Sequence, residues 1–242
     1  MSTSEVTYCL IIPAFNECDS LPSITTQCKE IVNYRNDLEI IILDNGSVDN
    51  TKQILRTSLS TFENKRIRYI IKETNSGYGA GIKFAIQNSK APVIIWTHAD
   101  LQCDLWDVLK LIEAYEANGP SDCLVMKGER LNRPFVDRLF SNLFSIINRF
   151  VNEVSLKDIN AQPNLIPRDF LKNLDKFPED STFELSVLTQ ALRQKCVMGR
   201  VAVQFPRRKF GVGANQGLIR KIRYSLKCVR VIFEIRRKYA GY

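Results

Sequence analysis

Four short apolar runs, separated by segments with helical periodicity, constrain the fold of this chain more than any other feature. The runs are 8-YCLIIP-13, 38-LEIIILDN-45, 67-IRYIIK-72 and 93-VIIWT-97. Runs of this length, rich in Ile and Leu, are typical of strands buried on both faces of a parallel sheet. Their β-α-β-α-β-α-β order predicts an α/β fold with a mostly parallel central sheet flanked by helices.

The rest of the chain predicts further helices. Apolar periodicity indicates helices at 104–117, about 135–152 and about 217–239, and residues 199–206 are typical of a strand. The sequence 181-STFE-184 matches a capping box and predicts a helix that runs from there to about residue 195.

Polar residues concentrate in the loops that follow three of the predicted strands. These loops, 13-PAFNECDS-20, 44-DNGSVDNT-51 and 98-HADLQCD-104, are rich in Asp, Asn and Ser. In open parallel sheets, ligands bind beyond the carboxyl ends of the strands. The three loops therefore predict one polar ligand site along that edge of the sheet.

Composition and cysteine spacing limit the class of protein. With 45% hydrophobic and 25% charged residues, the sequence is typical of an ordinary soluble globular protein. No stretch approaches the roughly 20 apolar residues that a membrane-spanning helix requires. The seven cysteines include no C-x-x-C pair, so we expect reduced core thiols and a cytoplasmic setting rather than structural zinc.

The formal charge of +8 belongs to the C-terminal segment. Residues 206–242 hold eleven Lys and Arg and one acid, whereas the preceding 205 residues hold 23 basic and 25 acidic residues. Within 217–239, an apolar stripe adjoins a basic stripe at helical spacing. The apolar residues are Ile219, Ile222, Leu226, Val229 and Phe233, and the basic residues are Arg220, Arg223, Lys227 and Arg230.

This pattern favours a helix that lies on an anionic membrane surface. The alternative is a terminal helix that packs on the protein and exposes its charged face to solvent. Nucleic acid is not an expected partner, because nothing in the sequence resembles a recognition module.

A glycine-rich segment, 77-GYGAGIKFA-85, invites comparison with nucleotide-binding loops. The third glycine of a G-x-G-x-x-G motif falls at Ile82, and no P-loop lysine pattern follows. A Rossmann cofactor and a P-loop nucleotide are therefore disfavoured. The structural alternative is a tight turn into a closely packed helix.

Four segments in order resemble the family 2 glycosyltransferases. They are 12-IPAFNE-17, 42-ILDNGSVDNT-51, 75-NSGYGAGI-82 and 99-ADLQ-102. The last is similar to the dolichyl-phosphate mannosyltransferase branch and its bacterial polyprenyl-phosphate relatives. The likeness is good over about residues 7–130 and weaker through 128-GERLNR-133, 158-DINAQPNLIPR-168 and 206-PRRKFGVG-213.

The resemblance implies a fold, a reaction and a cofactor. It implies the GT-A fold of nucleotide-diphosphosugar transferases over 1–215, with a nucleotide-sugar half at 1–127 and an acceptor half at 128–215. The charge and periodicity described above predict a separate basic amphipathic helix at 216–242. The implied reaction is inverting transfer of a sugar from a nucleoside diphosphosugar to a polyprenyl phosphate or lipid-linked acceptor. The implied cofactor is Mg²⁺ or Mn²⁺. The implied location is the cytosolic face of a membrane.

The resemblance also implies roles for individual residues. Asp44 and Glu17 stand at positions that contact the nucleoside. Asp100 stands at the last acid of the metal motif, where it bridges the metal to the diphosphate, and Gln102 follows in the same site. Arginines that surround phosphates in this branch correspond to Arg130, Arg138 and Arg208. The other positions implied to contact substrate are Pro13, Ala14, Asn16, Gly46, Ser47, Gly77, Gly79, His98 and Ala99.

Two segments of the matched region depart from the family pattern, and the C-terminal segment is a third departure, because many relatives carry membrane-spanning helices there and none is expected here. Where the branch usually has Asp-Ala-Asp, this chain has His98-Ala99-Asp100. Mg²⁺ needs only one or two carboxylates together with substrate phosphates, whereas His is a better ligand for Mn²⁺-like metals. His98 is thus a contact near the diphosphate, a direct metal ligand or a packing residue. The second departure, 160-NAQPN-164, leaves the sugar open, with Asp158 as a candidate contact.

Asp180 also has two interpretations. It is a candidate general base for a saccharide hydroxyl acceptor, as in polysaccharide synthesis, or it only favours a helix N-terminus electrostatically. Asp158 is the other candidate for such a base. A phosphate acceptor is already nucleophilic and requires no base. A non-catalytic protein that binds nucleotide sugars is the remaining alternative, because the acidic motif is incomplete.

Overall fold

The computed structural model describes residues 6–60, 62, 64–131, 135–206, 208–210 and 218–238. The strands are β1 (Tyr8–Ala14), β2 (Leu38–Asn45), β3 (Ile67–Lys72), β4 (Val93–Trp96), β5 (Leu124–Arg130), β6 (Asn164–Pro167) and β7 (Val197–Val203). The helices are α1 (Leu21–Tyr34), α2 (Thr51–Ser60), α3 (Tyr78–Gln87), α4 (Trp106–Ala117), α5 (Phe135–Asn152), α6 (Phe183–Arg193) and α7 (Leu218–Lys238). Two short 3₁₀ turns, Arg168–Leu171 and Leu174–Lys176, follow β6.

The strands form one seven-stranded sheet in the order β3-β2-β1-β4-β6-β5-β7. All neighbours are parallel except β6, which is antiparallel to both β4 and β5. The predicted mostly parallel sheet flanked by helices is thereby confirmed. The sequence did not reveal β6, because four residues that end in proline carry no clear strand periodicity.

The core lies on both faces of the sheet, as alternation along β1 shows. Cys9 and Ile11 point into the cluster that also includes buried residues of α3, α6 and α7. Leu10 and Ile12 point into the opposite cluster, formed with α1, α2 and α4. Successive side chains of a strand alternate between the two faces, so a strand covered by helices on both sides must be apolar throughout.

The prediction of a capping box at 181–184 is wrong. Helix α6 begins at Phe183, and its N-cap residue, Thr182, makes no side-chain capping bond. Instead, Asp180 Oδ1 accepts hydrogen bonds from the Thr182 backbone N–H (2.8 Å) and hydroxyl (2.6 Å). Glu184 is buried, and its carboxylate instead accepts hydrogen bonds from side chains of other elements, Tyr78 and Trp96.

The expectation that all cysteines are reduced is also wrong. Cys123 and Cys196 form a disulfide, while Cys9, Cys18, Cys28, Cys103 and Cys228 are free thiols. Parallel pairing of β5 with β7 sets Leu124 opposite Val197, so the two preceding cysteines are neighbours, with Cα atoms 4.5 Å apart. Because the sequence does not reveal this strand pairing, cysteine spacing alone misses the bond.

No helix in the described ranges is long and apolar enough to cross a membrane. Helix α7 packs on α5 and α6. Its buried residues are Cys228, Val231, Ile232 and Ile235.

Candidate functional site

The loops after β1 and β2 are joined at the carboxyl edge of the sheet. Ala14 pairs with Asp44 at the ends of the two strands, next to Pro13. The Asn16 N–H donates to Ser47 Oγ (2.9 Å), and Asn16 Oδ1 accepts the N–H of Val48 (3.0 Å). Two of the predicted polar loops therefore form one wall of a site.

Asp44 is the most deeply buried carboxylate of this wall. Its Oδ1 atom accepts the Ser47 N–H (3.0 Å), whereas Oδ2 is buried and has no donor among the described residues. Gly46, two residues after Asp44, has φ +77°, and a side chain there would collide with the backbone of Asn75. A buried acceptor without a donor is costly, so Oδ2 is suited to an N–H or O–H group of a ligand.

Asp100 follows β4 in the neighbouring loop, directly after buried Ala99. Its Oδ1 atom accepts the N–H of Gln102 (3.1 Å), and Leu101 between them has φ +58°, which is unusual for a branched residue. The Gln102 side chain donates to the Pro206 carbonyl (3.1 Å). The loop after β4 is thus fixed against the segment that follows β7.

Arg208 lies between two carboxylates at this junction. Its Nη2 atom donates to Glu17 Oε1, and its Nη1 atom is 3.8 Å from Asp100 Oδ2. Burial raises the pKa of Glu17, and Asp100 adds to the rise, while Arg208 and Ser20 oppose it by hydrogen bonding. Two acids that share one cation form a site that stabilises positive charge.

A second buried ion pair joins Arg130 to Asp158. Arg130 donates to Asp158 from its backbone N–H (3.0 Å), its Nε atom (2.9 Å) and its Nη2 atom. The guanidinium also stacks 4.9 Å from the ring centre of Phe205. Asp158 is therefore held by a charged partner.

The glycine-rich segment agrees with the packing interpretation. A Cβ atom at Gly77 would lie 2.5 Å from the Glu179 carbonyl oxygen, and one at Gly79 would lie 2.5 Å from that of Pro178. The backbone of 178–180 therefore lies directly against the start of α3. Asp180 in this segment is paired with Lys227 of α7, at 2.8 Å.

The orientation of His98 is fixed by a chain of buried side chains that the sequence did not reveal. Asn164 Nδ2 donates to the Ala161 carbonyl (3.3 Å) and to Gln162 Oε1 (3.0 Å), so its Oδ1 atom faces Lys127 (2.9 Å). The Gln162 amide nitrogen then faces His98 Nε2, at 3.3 Å. His98 Nε2 is consequently the acceptor, and Nδ1 carries the proton, 4.0 Å from Asp100 Oδ2.

Glu184 is a further member of this series of hydrogen-bonded side chains. Its Oε1 atom accepts hydrogen bonds from Tyr78 Oη (2.7 Å), Trp96 Nε1 (2.9 Å) and Gln162 Nε2. The Tyr78 ring also contacts the His98 ring edge to face. The only sequence signal for this network is Lys127, a charged residue inside the apolar part of β5.

Arg138 lies on α5, but its side chain is outside the described residues, as are Arg207 and residues 211–217 of the basic loop. The described residues contain no set of three or more His, Cys, Asp and Glu side chains that could hold a metal ion. A metal at Asp100 would therefore need ligands other than a cluster of His, Cys, Asp and Glu side chains of the described residues.

Lys127 predicts a specific pH dependence of stability. Burial lowers its pKa to about 7, although Glu184 and Asp158 oppose the shift. From pH 7 to 9 the folded protein loses this proton while the unfolded chain keeps it. The free energy of unfolding of the wild type, relative to Lys127→Met, should therefore rise by about 2 kcal/mol over that range.

Urea unfolding at pH 7, 8 and 9 measures the free energy of unfolding of the wild type and of Lys127→Met. The test is the change with pH in the difference between the two proteins, not the size of that difference at one pH. Lys90→Met, at an exposed lysine, is the control and should parallel the wild type. Parallel profiles for the wild type and Lys127→Met would show that the buried amine keeps its ordinary pKa.

Comparison with known proteins identifies the family. The family profile described as Glycosyl transferase family 2 matches residues 9–174, well over half of the chain. This chain belongs to glycosyltransferase family 2. The matched region includes both loops of the wall around Asp44 and the whole of 99-ADLQ-102.

Individual family 2 relatives support the assignment. A putative glycosyltransferase CsbB of Bacillus subtilis is 30% identical over 176 residues, which cover 72% of this chain and 52% of that protein. An undecaprenyl-phosphate 4-deoxy-4-formamido-L-arabinose transferase of Pseudomonas fluorescens is 32% identical over 179 residues, which cover 72% of this chain and 51% of that protein. The chain thus spans about half the length of these relatives.

A solved structure with the same fold is glucosyl-3-phosphoglycerate synthase from Mycobacterium tuberculosis, in complex with Mn²⁺, uridine diphosphate and phosphoglyceric acid. It superposes with a TM-score of 0.72 at 14% identity, covering 95% of this chain and 78% of that one. The predicted GT-A fold is confirmed.

Proposed function

We propose that this family 2 member transfers a sugar from a nucleoside diphosphosugar to a polyprenyl phosphate, with inversion at the anomeric carbon. The observation that carries the proposal is the junction of Asp100, Glu17 and Arg208 at the carboxyl edge of the sheet, together with the buried Asp44 Oδ2 atom, which has no donor among the described residues. A nucleoside would supply the donor group that Asp44 lacks. The diphosphate would lie next to the Arg208 guanidinium, which suits bidentate phosphate binding.

The residues present fit a divalent cation held together with substrate phosphates. Asp100 supplies the carboxylate, and the surroundings of Glu17 and Asp100 already accommodate positive charge. When bound, Mg²⁺ or Mn²⁺ would neutralise charge on the departing diphosphate. The glucosyl-3-phosphoglycerate synthase complex, with Mn²⁺ and uridine diphosphate, supports this choice of cofactor.

Among the three interpretations of His98, the hydrogen-bond chain favours contact near the diphosphate. With Nε2 engaged by Gln162, His98 directs an N–H group toward Asp100. An N–H group binds carboxylate or phosphate oxygen but does not ligate a metal. Gln102, whose side chain is bonded to Pro206, is similarly placed to hold the loop.

The acceptor half supports a phosphate acceptor rather than a hydroxyl. Burial raises the pKa of Asp180, but hydrogen bonds from Lys227 and Thr182 lower it by more. The pKa of Asp180 therefore lies below its ordinary value. A carboxylate with a lowered pKa is a weak general base, and Asp158 is held by Arg130. A phosphate oxygen needs no base, and the relative that uses undecaprenyl phosphate supports this acceptor class.

The test is transfer of labelled sugar from a panel of UDP- and GDP-hexoses to undecaprenyl phosphate, with MnCl₂ or MgCl₂, measured by organic extraction. Asp180→Asn should retain turnover within about threefold, because no proton is removed from the acceptor. If the acceptor is a saccharide hydroxyl with Asp180 as base, the variant should lose about 10²–10⁴-fold.

Asp175→Asn, at an exposed acid on the neighbouring 3₁₀ turn, is the matched control for charge removal. Metal-dependent binding of UDP or GDP without transfer to any acceptor would instead support the non-catalytic alternative. We further propose that the protein works peripherally at the cytosolic face of a membrane, since its acceptor is a lipid.

A further inference from the structure

Gln162 and His98 meet in the folded protein although they lie 64 positions apart in the chain. Gln162 stands just before β6, in 160-NAQPN-164, and His98 lies in the loop after β4. Both belong to segments that depart from the family pattern. Their contact, 3.3 Å between Gln162 Nε2 and His98 Nε2, makes the two departures neighbours in one site.

The amide group of Gln162 is held in one orientation by its other partners. Gln162 Nε2 donates to Glu184 Oε1, and Gln162 Oε1 accepts from Asn164 Nδ2 (3.0 Å). An amide turned by 180° would place its oxygen against a carboxylate oxygen and its nitrogen against an amide nitrogen. The amide proton of Gln162 that Glu184 does not accept is therefore directed at His98.

The backbone that carries Gln162 is fixed from within the protein. Lys127 Nζ donates to the carbonyl oxygens of Ile159 (2.8 Å) and Ala161 (2.6 Å), immediately before Gln162. Gln162 and Lys127 are both fully buried. A side chain that is locked by packing and hydrogen bonds in this way can hold a neighbouring group in a precise position.

Tyr78 holds the His98 ring from a second direction. The two rings meet edge to face, with centroids 5.6 Å apart, and Tyr78 Oη donates to Glu184 Oε1 (2.7 Å). The same Glu184 oxygen accepts from Gln162 Nε2. Glu184 therefore fixes both neighbours of the imidazole.

His98 is the member of this series that reaches the site. Its side chain is 32% exposed, whereas Gln162 and Glu184 are buried. A neutral imidazole that accepts a hydrogen bond at Nε2 carries its proton on Nδ1, and Nδ1 lies 4.0 Å from Asp100 Oδ2. The network thus presents an N–H group on the Asp100 side, and phosphate oxygens accept such a group.

We infer that Gln162 is a positioning residue for sugar transfer: it acts through His98 and directs the Nδ1–H group to the place where the departing diphosphate would lie. Glu184 takes part by holding Gln162 and Tyr78. The group that His98 contacts rests on the proposed function, whereas the positioning of His98 does not.

Nitrogen-15 NMR tests the positioning directly, because His98 is the only histidine of the chain. The sample is the full chain without a histidine tag, labelled at histidine and held at pH 8, above the ordinary pKa of imidazole. The wild type should show a protonated Nδ1 and an unprotonated Nε2. Gln162→Met keeps the side-chain length but removes the amide, so the proton should move to Nε2, the nitrogen that unconstrained imidazoles favour.

Thr189→Val is the matched control for the loss of a buried hydrogen bond. Thr189 lies on α6, as Glu184 does, and accepts from Asn148 (3.0 Å). This variant should leave the His98 signals unchanged. A wild type protonated at Nε2, or a Gln162→Met protein that keeps the proton on Nδ1, would overturn the inference. Circular dichroism and urea midpoints near those of the wild type show that the variants are folded.

Turnover shows whether Gln162 acts through His98. Gln162→Met should lower kcat about tenfold and change the KM for the sugar donor by no more than about twofold, as expected when a contact made in the transition state is lost. In a His98→Ala protein, Gln162→Met should have no further effect. Additive losses in this double-mutant cycle would mean that Gln162 supports the fold and does not act through His98.

Amide substitutions of His98 give a readout that does not depend on Gln162. An asparagine side chain places an N–H group near the position of Nδ1, and a glutamine side chain places one near that of Nε2. His98→Asn should therefore retain about tenfold more turnover than His98→Gln, and the reverse order would contradict the assignment. A wild type with the proton on Nδ1 but no transfer to any acceptor would contradict the proposed function and leave the positioning of His98 intact.

Discussion

Replacing Asp100 with Asn is expected to lower metal-dependent turnover by about 10³-fold. Asp100 is the carboxylate that the loop after β4 brings toward Arg208 and Glu17. Removing a unit charge about 4 Å from a cation costs on the order of 4 kcal/mol at an effective dielectric near 20, which corresponds to roughly 10³ in rate. Turnover with the active sugar donor, and the thermal shift by UDP or GDP with and without MnCl₂, measure the loss.

His98→Asp is the matched counterpart in the same loop. If His98 only replaces the family carboxylate, this variant should retain or increase metal-dependent turnover, since the Gln162 amide that faces His98 can donate to a carboxylate as well. If the His98 N–H contacts the diphosphate, as proposed above, the variant should lose turnover. Glu113→Gln, at an exposed position of α4, removes one negative charge elsewhere on the protein and is the control for a general effect of charge on turnover. An Asp100→Asn enzyme with wild-type metal response would show that the metal binds elsewhere.

Replacing Asp158 with Asn is expected to lower the free energy of unfolding by about 3 kcal/mol. The change keeps the side-chain size and suits the left-handed backbone of this residue, φ +49°. It leaves the charge of Arg130, whose side chain is 12% exposed, without its carboxylate. A buried charge that loses its partner typically costs 3–5 kcal/mol.

Urea unfolding at pH 7 measures this effect, with Asp169→Asn as control. Asp169 forms an exposed pair with Lys172 at 2.8 Å, and loss of such a pair costs about 0–1 kcal/mol. Similar losses in the two variants would mean that the Arg130–Asp158 pair adds no more than a surface pair does.

The strands and the polar edge of the site could be predicted because their signals are local. A strand buried on both faces must be apolar throughout, and its loop carries the polar residues, so 38-LEIIILDN-45 already defines β2 and its end at Asp44. Four ordered motifs were then enough to recognise the family. The matching profile over residues 9–174 confirms that recognition.

Features that depend on distant pairing could not be predicted. The disulfide requires β5 and β7 to lie side by side, although its cysteines are 73 residues apart. A capping box is defined within four residues, so the sequence predicts a capping role for Glu184, whereas its actual partners, Tyr78 and Trp96, come from α3 and β4.

The α/β order, the polar loops at one edge of the sheet and the two stripes of the C-terminal helix can all be derived from the order of the residues alone. These follow from periodicity and from the need to bury apolar surface. The face of α7 that meets the core and the nitrogen of His98 that carries the proton are known only from the folded arrangement. Both depend on which side chains meet across the fold, since packing and hydrogen bonding join residues that are far apart in the chain.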